Sequence, residues 1–278
     1  WYHTLWFDAD QVIRRHYGGR YPRGDFVGPL KEILALLGRH GARATFFVLK
    51  EIAEGFPEVV QRIHDEGHEI GSHGHAHVDL VNDAMFEEHE AEARQALTRI
   101  VGERVRGFRA PNLRTSGEMI DSLERIGYAF DSSIMPSVKI PGWYGGFAPQ
   151  LPYPPSHRDP RRIDGGRSFE EVPLLVFPGI RLPAGAGWFI RNLGADYVRA
   201  AAALQMKRGR PAVLYVHPWE AAENPKIPGI PGHVFRRTGR YVLGAIEYLM
   251  VELEAKKTTI SEMLDKGWAQ SGLAWSSS

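Results

Sequence analysis

The chain has 278 residues, 43% of them hydrophobic and 24% charged, with 30 Gly and 19 Pro; this globular composition excludes a disordered or fibrous protein and suits a single domain. Its 34 basic and 33 acidic side chains leave a net charge of +1, with no like-charge block to draw the chain to nucleic acid. It has no Cys, which excludes a disulfide framework and every thiolate metal site, so a bound metal has to be held by His and carboxylate.

Short β-type runs alternate with helical patterns along the chain. Leu5-Trp6-Phe7 predicts a strand, Leu30, Ile33, Leu34 and Leu37 a helix, and Ala44 to Val48 a second strand. A helix opening on Pro57, a strand at Glu69-Ile70-Gly71 and a helix from about Ala84 to Ile100 continue the βα alternation. Val105 to Phe108 predicts a strand, and Thr115 with Glu118 forms a capping-box pattern for a helix that Gly127 ends. Tyr128 to Phe130 follows as a strand. From about 135 to 168 the chain is rich in Pro, Gly and Arg without a period, which predicts a long surface insertion and not a linker. A strand near Glu171 to Phe177, a Gly-rich loop to Gly194, a helix over about Asp196 to Lys207 and a strand from Ala212 to Val216 come next. A long helix near Arg237 to Glu254, a short strand at Thr258 to Ile260 and a small helix to Lys266 close the domain, with a frayed tail expected after 267. The alternation predicts a parallel α/β fold in one domain over 1–278.

The apolar stretch Tyr241 to Leu253 is broken by Glu247 and falls short of the roughly 20 residues of a membrane span. No transmembrane segment is expected. The chain opens at Trp1 with neither an initiator Met nor a basic segment leading an apolar one, so removal of a signal or anchor upstream stays open and the compartment is undetermined.

The segment Gly67-His-Glu-Ile-Gly-Ser-His73-Gly-His75-Ala-His77 places four of the 12 His within ten residues. His73 and His77, four apart just after a strand, could offer two imidazoles to one metal; a solvated His-rich loop is the equal alternative. At Phe7-Asp8-Ala9-Asp10 an apolar strand ends in two carboxylates. Asp10 could complete a two-His, one-carboxylate set and leave Asp8 beside it as a base, or either Asp could cap the next helix. Three more strand ends carry polar residues: Arg109, Asp131 and His217. Taken singly these read as a surface ion pair, a turn residue and a core histidine. Their shared placement at the C-terminal ends of predicted parallel strands, which converge on one face of a β/α barrel, favours a common site.

This ordered set resembles the metal-dependent polysaccharide deacetylases, the carbohydrate esterases that include chitin and peptidoglycan deacetylases. Phe7-Asp-Ala-Asp10, His73-Gly-His-Ala-His77, Arg109-Ala-Pro111, Asp131 and His217 follow the order of that family's five motifs over about Leu5 to Lys266. Tyr215-Val-His-Pro-Trp-Glu220 looks most like the branch associated with bacterial exopolysaccharide production. In two places the chain departs from the family pattern: Ala9 separates the two aspartates, and Gly74 stands where Ser or Thr is usual, so that His75 competes with His73 as a ligand.

The resemblance implies a distorted β/α barrel of about seven strands. It also implies a hydrolase that removes N-acetyl groups from amino sugars of a polysaccharide or glycoconjugate. One divalent metal, Zn first with Co, Ni or Mn as alternatives, would be held by Asp10, His73 and His77. Asp8 would act as base, Arg109 would keep Asp8 anionic, His217 would protonate the leaving amine and Asp131 would orient His217. The backbone at Asn112 would help hold the oxyanion. Trp143, Tyr144, Trp188 and Trp219 are candidate apolar faces for a sugar ring, or ordinary packing. Two rival readings remain: an amidohydrolase for a small cyclic amide or a lipid-linked formamido sugar, and a non-catalytic carbohydrate-binding barrel.

Overall fold

The computed structural model describes residues 26–140, 145–223, 231–267 and 273–277. Helix α1 (Val27–Arg39) buries Leu30, Ile33, Leu34, Leu36 and Leu37 on one face, each worth about 1.5–3 kcal/mol of removal from water. Strand β1 (Thr45–Val48) is buried along its whole length and is followed by α2 (Lys50–Gly55), a short helix that the sequence pattern did not announce. Then come α3 (Pro57–Asp65) with Pro at its first turn, β2 (Glu69–Ser72), and α4 (Phe86–Val101), closed by Gly102 in the left-handed region at φ 74°.

After β3 (Gly107–Phe108), α5 (Gly117–Ile126) is capped by Ser116, whose hydroxyl accepts from Met119 N at 3.2 Å. The cap therefore lies one residue beyond the predicted Thr115, because the helix starts at Gly117. Strand β4 (Phe130–Asp131) pairs with β5 (Glu170–Glu171). The predicted strand to Phe177 stops early: beyond Glu171 the backbone bonds to scattered partners, Val172 N to Asp131 O, Leu174 N to Ile134 O and Leu175 N to Val213 O. The insertion is fastened to the body. Arg167, its side chain 2% exposed, pairs with Asp121 and with Glu124 at 3.3 Å, both on α5, while inside the insertion Tyr153 OH donates to Pro160 O at 2.6 Å.

Part of the predicted Gly-rich loop is a helix, α6 (Gly187–Leu193), which buries Phe189, Ile190 and Arg191. Glycine hides it from pattern reading, yet Gly187 is there because a Cβ would lie 2.3 Å from Glu220 Oε2. Helix α7 (Ala195–Met206), β6 (Ala212–Val216), α8 (Arg240–Glu252), β7 (Lys257–Thr258) and α9 (Ile260–Lys266) follow close to expectation. Leu273–Ser277, expected to fray, is β8, with a place between β1 and β6 where both flanking strands satisfy its backbone groups.

The eight strands run in the order β5-β4-β3-β2-β1-β8-β6, with β7 also on β8, and every ladder is parallel. This is the α/β parallel sheet that the sequence predicts; among the described residues its ladder is not a closed ring. No helix among them is long and apolar enough to cross a membrane. Parallel strands place all their C-terminal ends on one side of the sheet. His73 directly follows β2, Arg109 follows β3, Asp131 ends β4 and His217 follows β6.

Candidate metal centre and active site

Asp8, Asp10, Trp143 and Tyr144 lie outside the described residues. Of the other candidates, His73, His77, His217 and Trp219 line one cleft together with Phe47 and Pro218. His73 N donates to Val48 O at 2.9 Å, which continues the β1–β2 ladder by one residue and turns the imidazole into the sheet edge. Its Nδ1 meets Arg109 O at 2.7 Å. As donor to that carbonyl, Nδ1 leaves Nε2 as the free lone pair, the arrangement that orients metal-ligating histidines.

His77 faces His73 with ring centroids 5.2 Å apart at 75°, and its Nδ1 is buried without a hydrogen-bond partner among the described residues. Burial pushes the His73 imidazole down to about 3 and the His77 imidazole down to about 2, with each further lowered by neighbouring histidines. Two neutral imidazoles, one with an orphaned buried nitrogen, fit a divalent cation. His75 turns away from this pair, toward Asp83 and His89.

Arg109 is fully buried. Its Nε donates to Ser132 O and its Nη2 to Ser132 Oγ, both at 2.7 Å, and the guanidinium stacks 4.4 Å from the Phe47 ring centroid, behind one wall of the cleft. Burial lowers its pKa to about 10, so it is still a cation at neutral pH. Beyond it, Pro111–Leu113 forms a single turn in which Asn112 and Leu113 both have φ 56°. Non-glycine residues held in that region cost of order 1 kcal/mol or more and cluster at functional loops.

The expected pairing of Asp131 with His217 is not what the structure makes. Asp131 accepts from Ser133 Oγ at 2.6 Å and shares a hydrogen bond with Glu171, and burial raises the pKa of both carboxyls. The partner of His217 is Glu220: Oε2 lies 3.2 Å from Nδ1 and accepts from His217 N at 2.9 Å, while Oε1 accepts from Arg191 Nε at 2.6 Å. Burial opposes the Glu220 charge, but the Arg191 guanidinium and the bonds to His217 outweigh it and hold the carboxyl at about 2. Glu220 sits three residues after His217 in a turn, Pro218–Ala221, and that spacing was the available signal. Arg191 had none, since it arrives from α6, in the stretch read as loop.

Trp219 lines the cleft, with its ring 5.9 Å from His217 at 25°. Trp188 does not reach the cleft; it packs on Phe189 at 5.1 Å and on His233 at 5.9 Å.

Residues 24–130 match the polysaccharide deacetylase family. That stretch carries a polysaccharide deacetylase domain. Residues 132–251 match a domain of unknown function, DUF3473, yet β1 to β3 of the first stretch and β5 and β6 of the second lie in one sheet, so the two matches describe one body. Among curated proteins the chain is 39% identical over 82 residues to a peptidoglycan-N-acetylglucosamine deacetylase of Bacillus cereus, covering 29% of this chain and 30% of that one. It is 33% identical over 99 residues to a chitooligosaccharide deacetylase of Azorhizobium caulinodans, covering 34% and 47%. The matched stretches thus span less than half the length of those relatives. A Mycobacterium smegmatis crystal structure assigned to the polysaccharide deacetylases superposes with a TM-score of 0.60 at 20% identity, over 94% of this chain and 86% of that one. An allantoinase superposes with a TM-score of 0.55 at 20% identity, over 87% and 70%. These likenesses concern the fold.

Proposed function

We propose that the protein is a metal-dependent hydrolase that removes N-acetyl groups from amino sugars of a polysaccharide or glycoconjugate. The observation that carries this reading is the convergence of His73, His77 and His217 on one cleft, the first two neutral and facing each other. Its relatives named for peptidoglycan and chitooligosaccharide deacetylation support the substrate class.

His73 and His77, with Asp10 as third ligand, would hold the divalent cation, with Zn the first expectation. Bound there, the cation supplies Lewis acidity toward the amide carbonyl and toward water. Asp8 takes the proton from the attacking water, and the buried Arg109 cation keeps Asp8 anionic. The Asn112 turn offers backbone N–H to the developing oxyanion. His217 delivers a proton to the leaving amine nitrogen, which breaks the C–N bond and leaves acetate and a free amine. Glu220, not Asp131, fixes the His217 ring through Nδ1. Trp219 gives an apolar face to the sugar ring.

Acetate release from N-acetylglucosamine oligomers, measured before and after chelation, tests the proposal. Release that chelation abolishes and added Zn or Co restores is expected. A metal-loaded protein that binds these oligomers but releases no acetate from any N-acetylated glycan would instead establish the carbohydrate-binding reading.

A further inference from the structure

Gly74 carries the chain through φ 93° between His73 and His75, and a Cβ there would lie 2.8 Å from Leu80 Cδ1. This turn sends His73 toward the cleft and His75 toward the start of α4. Asp83 is already fixed at that point: its Oδ1 accepts from Met85 N at 3.0 Å, which leaves Oδ2 for the imidazoles. His89, on the first turn of α4, places Nδ1 2.8 Å from Oδ2, and His75 places Nδ1 3.8 Å from the same oxygen. The two rings lie 4.6 Å apart, and all three donors have ligand atoms within 4.8 Å of one another.

We propose that His75, Asp83 and His89 form a second divalent-cation site, distinct from the His73–His77 pair. Two imidazoles and a carboxylate suit Zn, Co or Ni. At usual bond lengths, two donors on a tetrahedral Zn stand about 3.3 Å apart. The 3.8 Å separation therefore has to close, and the 2.8 Å one to open, by about half an ångström each. Side-chain exposures of 27% for His75, 15% for Asp83 and 36% for His89 leave freedom for that movement, a path of entry, and water for the remaining coordination positions.

Two features weaken the site relative to the buried pair. The N-terminal end of a helix disfavours a cation, and the Lys50 ammonium acts on His75, although Lys50 is itself paired with Glu92 at 2.6 Å. The Asp83 charge offsets both. Occupancy would clamp the loop that presents His73 and His77 onto α4, because His75 belongs to the loop and His89 to the helix. The proposal goes beyond the deacetylase reading and does not depend on it.

Calorimetric titration of the metal-stripped full chain with Zn, backed by elemental analysis of the loaded protein, tests it. Two binding events are expected in the parent protein, the weaker lost in both His89→Ala and Asp83→Asn, while His77→Ala loses only the tighter one. A single event in the parent protein, unchanged by His89→Ala and Asp83→Asn, overturns the proposal and leaves Asp83 and His89 as a hydrogen-bonded pair at the start of α4. Loss of one event in His89→Ala with neither event lost in His77→Ala would instead sink the catalytic-metal reading and leave this site standing. Both His89 and Asp83 are part-exposed, and circular dichroism of the variants separates a lost ligand from a lost fold.

Discussion

Glu220 uses both carboxylate oxygens at once: Oε1 accepts from Arg191 Nε at 2.6 Å, and Oε2 lies 3.2 Å from His217 Nδ1. Arg191 and Glu220 are 2% and 1% exposed, so a buried ion pair stands directly behind the imidazole that faces the cleft. Breaking such a pair by removing one charge costs about 3–5 kcal/mol, because the other charge stays buried. Glu220→Gln is therefore expected to lower the midpoint of denaturant unfolding and to reduce turnover by roughly a hundredfold, the scale of a lost acid–base contribution. Metal content should be unchanged, since Glu220 touches neither His73 nor His77. Normal turnover in Glu220→Gln would remove it from the mechanism.

The same carboxyl sets an acid limit. Its folded pKa, about 2, lies below its ordinary 4.5, so its contribution is fully present above pH 4.5 and is lost as pH falls toward 2. At ~1.4 kcal/mol per unit the total is about 3 kcal/mol. Stability measured between pH 5 and 2.5 should fall less steeply in Glu220→Gln than in the parent.

Glu90 predicts the opposite slope. It is 1% exposed beneath β2 and accepts from Tyr128 OH at 2.6 Å, and burial raises its pKa from 4.5 to about 8. The folded chain then binds the proton more tightly than the unfolded one, so this contribution is complete below pH 4.5 and declines through pH 8. The local slope approaches ~1.4 kcal/mol per pH unit. Glu90→Gln keeps the shape without the charge and should flatten the unfolding midpoint over that window; an unchanged slope would show that Glu90 is ionised in the native state.

Gly187→Ala tests the seat of Glu220 from the other side. The new Cβ would meet Oε2 at 2.3 Å and Oε1 at 2.7 Å, so the carboxylate or the start of α6 has to move. Overpacking of this kind costs about 1–3 kcal/mol. The variant should lose turnover as Glu220→Gln does, and a structure of it should show the His217–Glu220 contact lengthened.

His77→Ala and His217→Ala should divide the site. The first removes the orphaned buried nitrogen and is expected to lose metal and acetate release together. The second should retain metal and lose turnover, because His217 stands at a different strand end. Elemental analysis beside the acetate assay reads both, and a His217→Ala variant with parent activity would mean another group protonates the amine.

Local pattern determined a great deal here. The βα alternation gave the parallel sheet, because period-3.6 and short apolar runs report which face of each element is buried, and His73, Arg109, Asp131 and His217 could be placed at strand ends from sequence alone. Tertiary structure decided what those side chains touch. Asp131 ends its strand as expected but pairs with Glu171, brought to it by the β4–β5 ladder. Arg191 reaches Glu220 from a helix that glycines conceal, and a turn at Gly74 separates His75 from His73. The first kind of information is carried by neighbours in the chain and survives without packing. The second depends on which helix lies against which strand end, a relation between residues tens of positions apart that no local period encodes.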